Sequence, residues 1–169
     1  MNPMPALPPV DPAVFLWFLP LTVPVALYVA WSDMARMRIP NAASWAMAAT
    51  WAASPLILPW EYVVWGLVLM GAVLAIGFVL NAIGAVGGGD AKFAAGMAAQ
   101  FTGADLRVVF ALWAACLLAA FAAHRLLRAI PGVRAALPGW KSWTHAKFPM
   151  GLALAGTVIF HPLLALILP

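Results

Sequence analysis

Two aspartates carry the clearest chemical signal in the sequence. Asp33 follows a long apolar stretch, and Asp90 follows three consecutive glycines. Two carboxylates held within a few ångströms of each other cannot both ionise easily, so they share a proton. One of them, as a base, then takes a proton from water, while the other, as an acid, protonates the scissile carbonyl or the leaving amine. Such a pair hydrolyses a peptide bond without a serine nucleophile or a metal ion.

Each aspartate taken alone also has a simpler interpretation. Asp33 could be a residue at a helix end that pairs with Arg36 or Arg38, and Asp90 could be a helix N-terminal charge favoured by the helix dipole. Ionisable groups at membrane depth cost about 2.5–3.5 kcal/mol on insertion scales and usually mark function, but the cost shrinks near the interface. The pair is more informative, because the topology described below places these two acids, and no others, on the cytoplasmic side of the membrane.

The composition excludes a water-soluble domain. The chain has 169 residues, of which 66% are hydrophobic and 8% are charged, with a mean hydropathy of +0.99. Soluble domains carry about 25% charged residues. The single cysteine, Cys116, leaves no disulfide framework and no cysteine-based zinc site. In so apolar a chain the nine Lys and Arg residues indicate membrane topology, not nucleic-acid binding.

The apolar runs predict an all-α membrane protein, a bundle of six transmembrane helices that forms a single domain over residues 1–169. The fourth run is short for a membrane crossing and is rich in Ala and Gly. The predicted spans are 13–31, 42–58, 62–83, 91–104, 106–127 and 148–168.

Charge placement favours six crossings. If segment 91–104 crosses, only Arg107 of the nine cations lies on the outer side. If the segment instead re-enters on the side from which it came, the basic loop 128–147 lies on the opposite side of the membrane from Arg36 and Arg38. The positive-inside rule therefore places both termini on the non-cytoplasmic side and both aspartates at the cytoplasmic face. The cations grouped on the cytoplasmic side are Arg36, Arg38, Lys92, Arg125, Arg128, Arg134, Lys141 and Lys147.

The glycine run before Asp90 adds a mechanical argument. Without Cβ atoms, Gly87, Gly88 and Gly89 let the backbone turn sharply into a helix and let another chain approach closely. An extended peptide substrate needs such an approach. A flexible loop explains the same residues, and a glycine triplet alone is a weak signal.

Three motifs together resemble one family. Residues 87–92, GGGDAK, resemble the GxGD signature of the aspartic prepilin peptidases, with a lysine two positions after the aspartate. Residues 32–41, SDMARMRIPN, are similar to that family's first-aspartate motif, in which basic residues and then Ile-Pro-Asn follow the aspartate. Residues 148–156, FPMGLALAG, resemble its last helix. The similarity covers nearly the whole chain in order and spacing.

This resemblance implies a multi-pass enzyme of the cytoplasmic (inner) membrane. Such an enzyme removes the short basic leader from type IV pilin-like precursors at the cytoplasmic face, with Asp33 and Asp90 as the catalytic pair. The sequence has neither the N-terminal cytoplasmic region nor the paired zinc-binding cysteines of the bifunctional members. It is similar to the short branch associated with Flp-type, tight-adherence pili, which implies peptidase activity without N-methylation. No cofactor and no metal are expected.

Six residues are candidates for supporting roles at the substrate or the aspartates. The three glycines would receive the substrate backbone. Arg36, Arg38 and Lys92 would lower the pKa of the nearby aspartates or hold one of them ionised. The same three cations are also expected as topology anchors.

Other functions stay open at this point. A preflagellin peptidase has the same GxGD chemistry and a similarly short chain. A small transporter or proton relay would hold its acids near the bilayer midplane and would have symmetric halves. A pilus-assembly protein without activity would leave both aspartate motifs unexplained. The sequence contains no HExxH zinc motif and no serine-protease Gly-x-Ser-Gly motif. The identity of the precursor and the oligomeric state are not indicated.

Overall fold

The computed structural model describes residues 7–164 and Ile167, and this part of the chain is helical without any strand. Short 3-10 segments precede, extend or connect the α-helices, at Pro12–Phe18, Trp51–Leu56, Ala99–Phe101 and Lys141–Trp143. The α-helices are α1 (Leu19–Arg36), α2 (Asn41–Thr50), α3 (Trp60–Ala82), α4 (Gly88–Ala98), α5 (Leu106–Ala129), α6 (Pro131–Ala136) and α7 (Gly151–Leu164).

Among the described residues, three helices are long and apolar enough to cross a membrane, namely Pro12–Arg36, Trp60–Ala82 and Leu106–Ala129. They coincide with the predicted spans 13–31, 62–83 and 106–127, so the all-helical class is confirmed and three of the predicted spans fall on helices of suitable length and composition. The remaining predicted spans fall on the shorter helices α2, α4 and α7, and the six-crossing topology stays a prediction. Residues 1–6, 165–166 and 168–169, which include the predicted end of the last span, lie outside the described residues.

Two groups of three helices build the bundle. Helix α4 packs between α2 and α3, and α7 packs between α1 and α5. Contacts of α1 with α2 and of α4 with α7 join the groups. Fully buried side chains from four helices meet in the shared core, among them Val29, Met47, Phe93 and Val158. The junction of the two groups therefore sets the relative position of α1 and α4, which carry the two aspartates.

An aromatic cluster closes the end of the bundle opposite the aspartates. Phe18 stacks on Trp51 with ring centroids 5.4 Å apart, and Tyr62 and Ala99 belong to the same buried cluster. These residues lie at the start of α1, just after α2, at the start of α3 and just after α4. The segments formed by α2 and α4 therefore run from the aspartate end of the bundle to its opposite end, antiparallel to α1.

The outer surface of the long helices is apolar. On α3 and α5 many large hydrophobic side chains are exposed, which is the pattern of a helix face that contacts lipid rather than water. These exposed side chains include Leu67, Ile76, Phe78 and Val79 on α3 and Phe110, Leu118 and Leu126 on α5.

Candidate active site

Asp33 lies in the last turn of α1, where the chain leaves the helix abruptly. Met37 adopts the left-handed conformation (φ 54°), and its N–H donates to the carbonyl of Asp33 at 2.8 Å. The hydroxyl of Ser32 donates to the carbonyl of Arg38 at 2.9 Å. A left-handed residue after the last turn is a common way to end a helix. The sequence between Asp33 and the Ile-Pro-Asn motif is therefore a helix stop that folds back beside the aspartate.

The carboxylate of Asp33 is buried and held by the start of α7. Its exposed fraction is 5%, and its Oδ2 accepts a hydrogen bond from the N–H of Gly151 at 2.7 Å. The first N–H groups of a helix have no partner within the helix and lie at its positive end, so they suit a carboxylate. A Cβ on Gly151 would lie 2.9 Å from the Cβ of Asp33. Only a glycine lets α7 come this close.

Asp90 lies in the first turn of α4, and its side chain is half-buried. Burial raises its pKa from the ordinary 3.8 to about 6, and the negative charge of Asp33 adds to the rise. The backbone of Gly87 and the positive charge of Lys147 oppose it. The two aspartates, which come from different helices, are therefore close enough to influence each other's ionisation.

The glycines before Asp90 differ in the space around them. A Cβ on Gly87 would collide with Oδ2 of Asp90, and a Cβ on Gly89 would lie 3.1 Å from the carbonyl oxygen of Ile39. At Gly88 the nearest atom would be 3.5 Å away, in the side chain of Asn81, which is an ordinary contact. A side chain at the first glycine would displace the carboxylate of Asp90, and one at the third would press on Ile39, whereas the second has room for it.

The two aspartate motifs also contact each other directly. Gly89 packs against Ile39, and the ammonium group of Lys92 donates to the side-chain oxygen of Asn41 at 3.0 Å. Ile39 and Asn41 belong to the Ile-Pro-Asn part of the first motif. These contacts fix the start of α4 against the turn that follows Asp33.

Among the contacts of the described residues, neither of the two arginines predicted to support the aspartates is hydrogen-bonded or ion-paired to them. The guanidinium of Arg36 lies over the ring of Trp31, 4.8 Å from its centroid. Arg38 contributes its backbone carbonyl to the bond from Ser32. Within the described part of the chain the only ion pair joins Arg107 to Asp105 at 2.9 Å. Lys92, the third cation predicted to support the pair, is bonded to Asn41.

Sequence reasoning did not assign three residues that the structure places at this site. They are Gly151, His145, whose ring is close enough to interact with the charge of Asp33, and Lys147, which acts on Asp90. The N–H of Lys147 donates to Nδ1 of His145 at 3.0 Å. The one signal in the sequence was the weak third motif, which begins at Phe148.

The arrangement is suited to acid–base chemistry on water. One carboxylate is buried with one oxygen bonded to an N–H, and the other is half-buried with a pKa of about 6. Two neighbouring carboxyl groups of which one titrates at higher pH can accept and donate a proton. Within the described residues no group of three His, Cys, Asp or Glu side chains could hold a metal ion.

Comparison with known proteins agrees with the motifs. No curated protein and no solved structure shows significant similarity to the chain. A profile of the type IV leader peptidase family, however, matches residues 20–123. The match covers more than half of the chain, and it contains both aspartates and the whole of the contact between their motifs. The chain belongs to the type IV leader peptidase family.

Proposed function

We propose that this protein is an aspartic endopeptidase that removes the short basic leader from a type IV or Flp pilin-like precursor. The observation that carries the proposal is the meeting of Asp33 and Asp90 at one end of the bundle, within the region that matches the family. The two residues come from separate motifs and separate helices, and each is positioned by a glycine. A pair of carboxylates coupled in this way is the minimal machinery for water-mediated peptide hydrolysis.

The contacts of the two carboxylates suggest a division of labour. Oδ2 of Asp33 accepts the N–H of Gly151, and the negative charge of Asp33 raises the pKa of Asp90. Asp33 is therefore the first of the two to ionise, and its second oxygen can take a proton from water. Asp90, with a pKa of about 6, retains its proton to higher pH than an ordinary carboxyl group and can deliver it to the leaving amine. We therefore assign Asp33 as the base and Asp90 as the acid in the first step.

We further propose six membrane crossings, with the site at the cytoplasmic face of the cytoplasmic (inner) membrane and both termini outside. The segment formed by α2 and its 3-10 extension is about 27 Å long at ~1.5 and ~2.0 Å per residue, close to the ~30 Å of a hydrocarbon core. The α4 segment runs in the same direction between the same two ends. Arg107, the one cation assigned to the outer side, is paired with Asp105, which supports the charge argument.

The proposal includes a single domain over residues 1–169, no N-methyltransferase activity and no cofactor. The substrate supplies a basic leader at the cytoplasmic surface and an apolar helix in the bilayer. Preflagellin-type substrates require the same chemistry, so a cleavage assay with each type of precursor is needed to distinguish them from pilin-like substrates. A proton relay would hold its acids near the middle of the bundle, whereas Asp33 ends α1 and Asp90 begins α4.

Leader cleavage of a co-expressed pilin-like precursor tests this function. We expect the native chain to process the precursor, and Asp33→Asn and Asp90→Asn to abolish processing at equal membrane levels. Asp105→Asn is the matched control, because this exposed aspartate pairs with Arg107 away from the candidate site. Full processing by a well-expressed Asp33→Asn or Asp90→Asn variant would refute the assignment of the two aspartates as a catalytic pair and would favour a proton-relay or assembly role.

A further inference from the structure

A groove with a volume of about 530 Å³ lies between α2, α3 and α4. We call it the three-helix groove. Ser44 and Trp45 line it from α2, Gly71 and Leu74 from α3, and Lys92 and Gly96 from α4. The lining is largely apolar, and its charged residue, Lys92, lies two positions after Asp90 in the same helix. Asn41, which is bonded to Lys92, also lines the groove, so one end of the groove lies at the contact between the two aspartate motifs.

Two polar groups in this groove point to a ligand. The hydroxyl of Ser44, a residue that is only 6% exposed, is buried and has no hydrogen-bond partner among the described residues. A buried hydroxyl without a partner costs about 1–3 kcal/mol. The ammonium group of Lys92 has Asn41 as its partner and remains exposed. The ammonium group of Lys92 can bond to a polypeptide that enters the groove, and the unpartnered hydroxyl of Ser44 lies within the wall.

The walls of the groove suit a helix. Small residues let helix backbones approach closely in a membrane, where packing replaces the hydrophobic effect as the driving force. A Cβ on Gly71 would have no atom within 4 Å, so the space above it is open. A cavity of about 150 Å³ holds a benzene ring, so about 530 Å³ holds roughly three or four side chains of that size. That number corresponds to one face of about two helical turns.

We propose that the three-helix groove binds the first turns of the apolar helix of the leader-bearing precursor. The inference rests on the proposed function and identifies where its substrate docks. The leader must end beside Asp90 for cleavage, and the groove begins at Asn41 and Lys92, where the two aspartate motifs contact each other. The precursor helix then extends along α2 and α3 toward the opposite end of the bundle. A lipid acyl chain is the competing occupant and is distinguished by the experiment.

Cross-linking in the uncleaved complex tests the docking directly. The background is Asp90→Asn with Cys116→Ser, which removes the chain's only cysteine. Trp45→Cys places a thiol in the groove, and Ala72→Cys places one on an exposed part of α3 outside its lining. We expect disulfide cross-links from position 45 to precursor cysteines spaced three or four residues apart, and none from position 72. Absent cross-links at 45, or equal cross-links at both positions, would overturn the proposal and leave the groove to lipid.

Filling the groove tests its contribution to cleavage. Gly71→Leu adds a side chain into open space, and Ala72→Leu makes a comparable change on the exposed face of α3. We expect Gly71→Leu to lower kcat/KM for the full-length precursor by about tenfold or more, chiefly through KM, while Ala72→Leu cleaves like the native chain. Native cleavage by Gly71→Leu, with Asp33→Asn inactive, would refute the docking site and keep the peptidase. Cleavage that survives Asp33→Asn and Asp90→Asn would instead refute the proposed function.

Discussion

Alanine substitution of the three glycines before Asp90 should divide them into two classes. All three have negative φ angles, since the positive-φ glycines among the described residues are Gly84 and Gly103. Alanine is therefore compatible with the backbone at each position, and only the space around the new Cβ differs. At Gly87 the Cβ would collide with the carboxylate of Asp90, and at Gly89 it would press on Ile39, but at Gly88 it would make an ordinary contact.

The magnitudes follow from these contacts. At Gly87 the carboxylate of Asp90 must move, and a misplacement of about 1 Å in a catalytic group costs about 10²-fold in rate. At Gly89 the neighbour is the backbone of Ile39 at 3.1 Å, which must yield by a few tenths of an ångström, so we expect a loss of about tenfold. Gly88 is the first residue of α4, where alanine reduces the entropy of the unfolded chain and stabilises by about 0.4–1 kcal/mol.

Two measurements check this series. Leader cleavage, normalised to the amount of protein in the membrane, should rank the variants as native, then Gly88→Ala close to native, then Gly89→Ala, then Gly87→Ala. Thermal unfolding in detergent should show Gly88→Ala at or above the native midpoint. A Gly88→Ala enzyme as inactive as Gly87→Ala would refute the steric argument, and so would a Gly87→Ala enzyme with full activity.

Two further predictions concern the residues that sequence reasoning did not assign. Gly151→Ala should lower cleavage by about tenfold or more, because a Cβ 2.9 Å from that of Asp33 displaces a charge-assisted hydrogen bond worth about 1.5–3 kcal/mol. Gly156→Ala, the same change in the same helix, is the control. Equal losses of cleavage in both variants would contradict a role of Gly151 through Asp33. The cleavage rate should also follow a bell-shaped pH profile whose limbs belong to the pair. With Asp90 as the acid, the falling limb lies near its pKa of about 6. Because the charge of Lys147 lowers the pKa of Asp90, Lys147→Met should move the falling limb to higher pH, whereas Lys141→Met in the same loop should not. If the limb of the Lys147→Met enzyme stays in place or moves to lower pH, Asp90 is not the group that titrates.

The sequence predicted the long helices well, because an apolar run sustained over about 20 residues is typical of a helix that crosses a membrane. It was less informative about the second span. The predicted 42–58 run is an α-helix only as far as Thr50 and continues as a 3-10 segment that contains Pro55. Apolar composition indicates burial and not the type of helix. The buried indole of Trp51, which donates to the carbonyl of Val63 at 3.2 Å, is a tertiary contact that no local pattern reveals.

The aspartates were accessible to sequence reasoning, but their surroundings were only partly so. Asp33 and Asp90 stand out because acids are rare in this chain. Their partners His145, Lys147 and Gly151 lie far along the chain and reach the site only because α7 packs against α1. Charge alone also suggested Arg36 as a neighbour of the pair, whereas its guanidinium stacks on Trp31. Long side chains at a helix end have many partners within reach, so their positions cannot be read from spacing.

The same physical rule accounts for the glycines around both aspartates. In a membrane the hydrophobic effect does not press helices together, so close packing of small residues determines how they meet. A Cβ on Gly96 would lie 2.8 Å from the carbonyl of Ser44, and one on Gly77 would lie 2.9 Å from the Cβ of Ala91. These two glycines set the approach of α4 to α2 and α3, as Gly151 sets that of α7 to α1. The distance between the two carboxylates therefore depends on how closely the backbones of these helices approach one another. It follows that a single methyl group at Gly77 or Gly96 can alter the coupling of the pair without touching either aspartate.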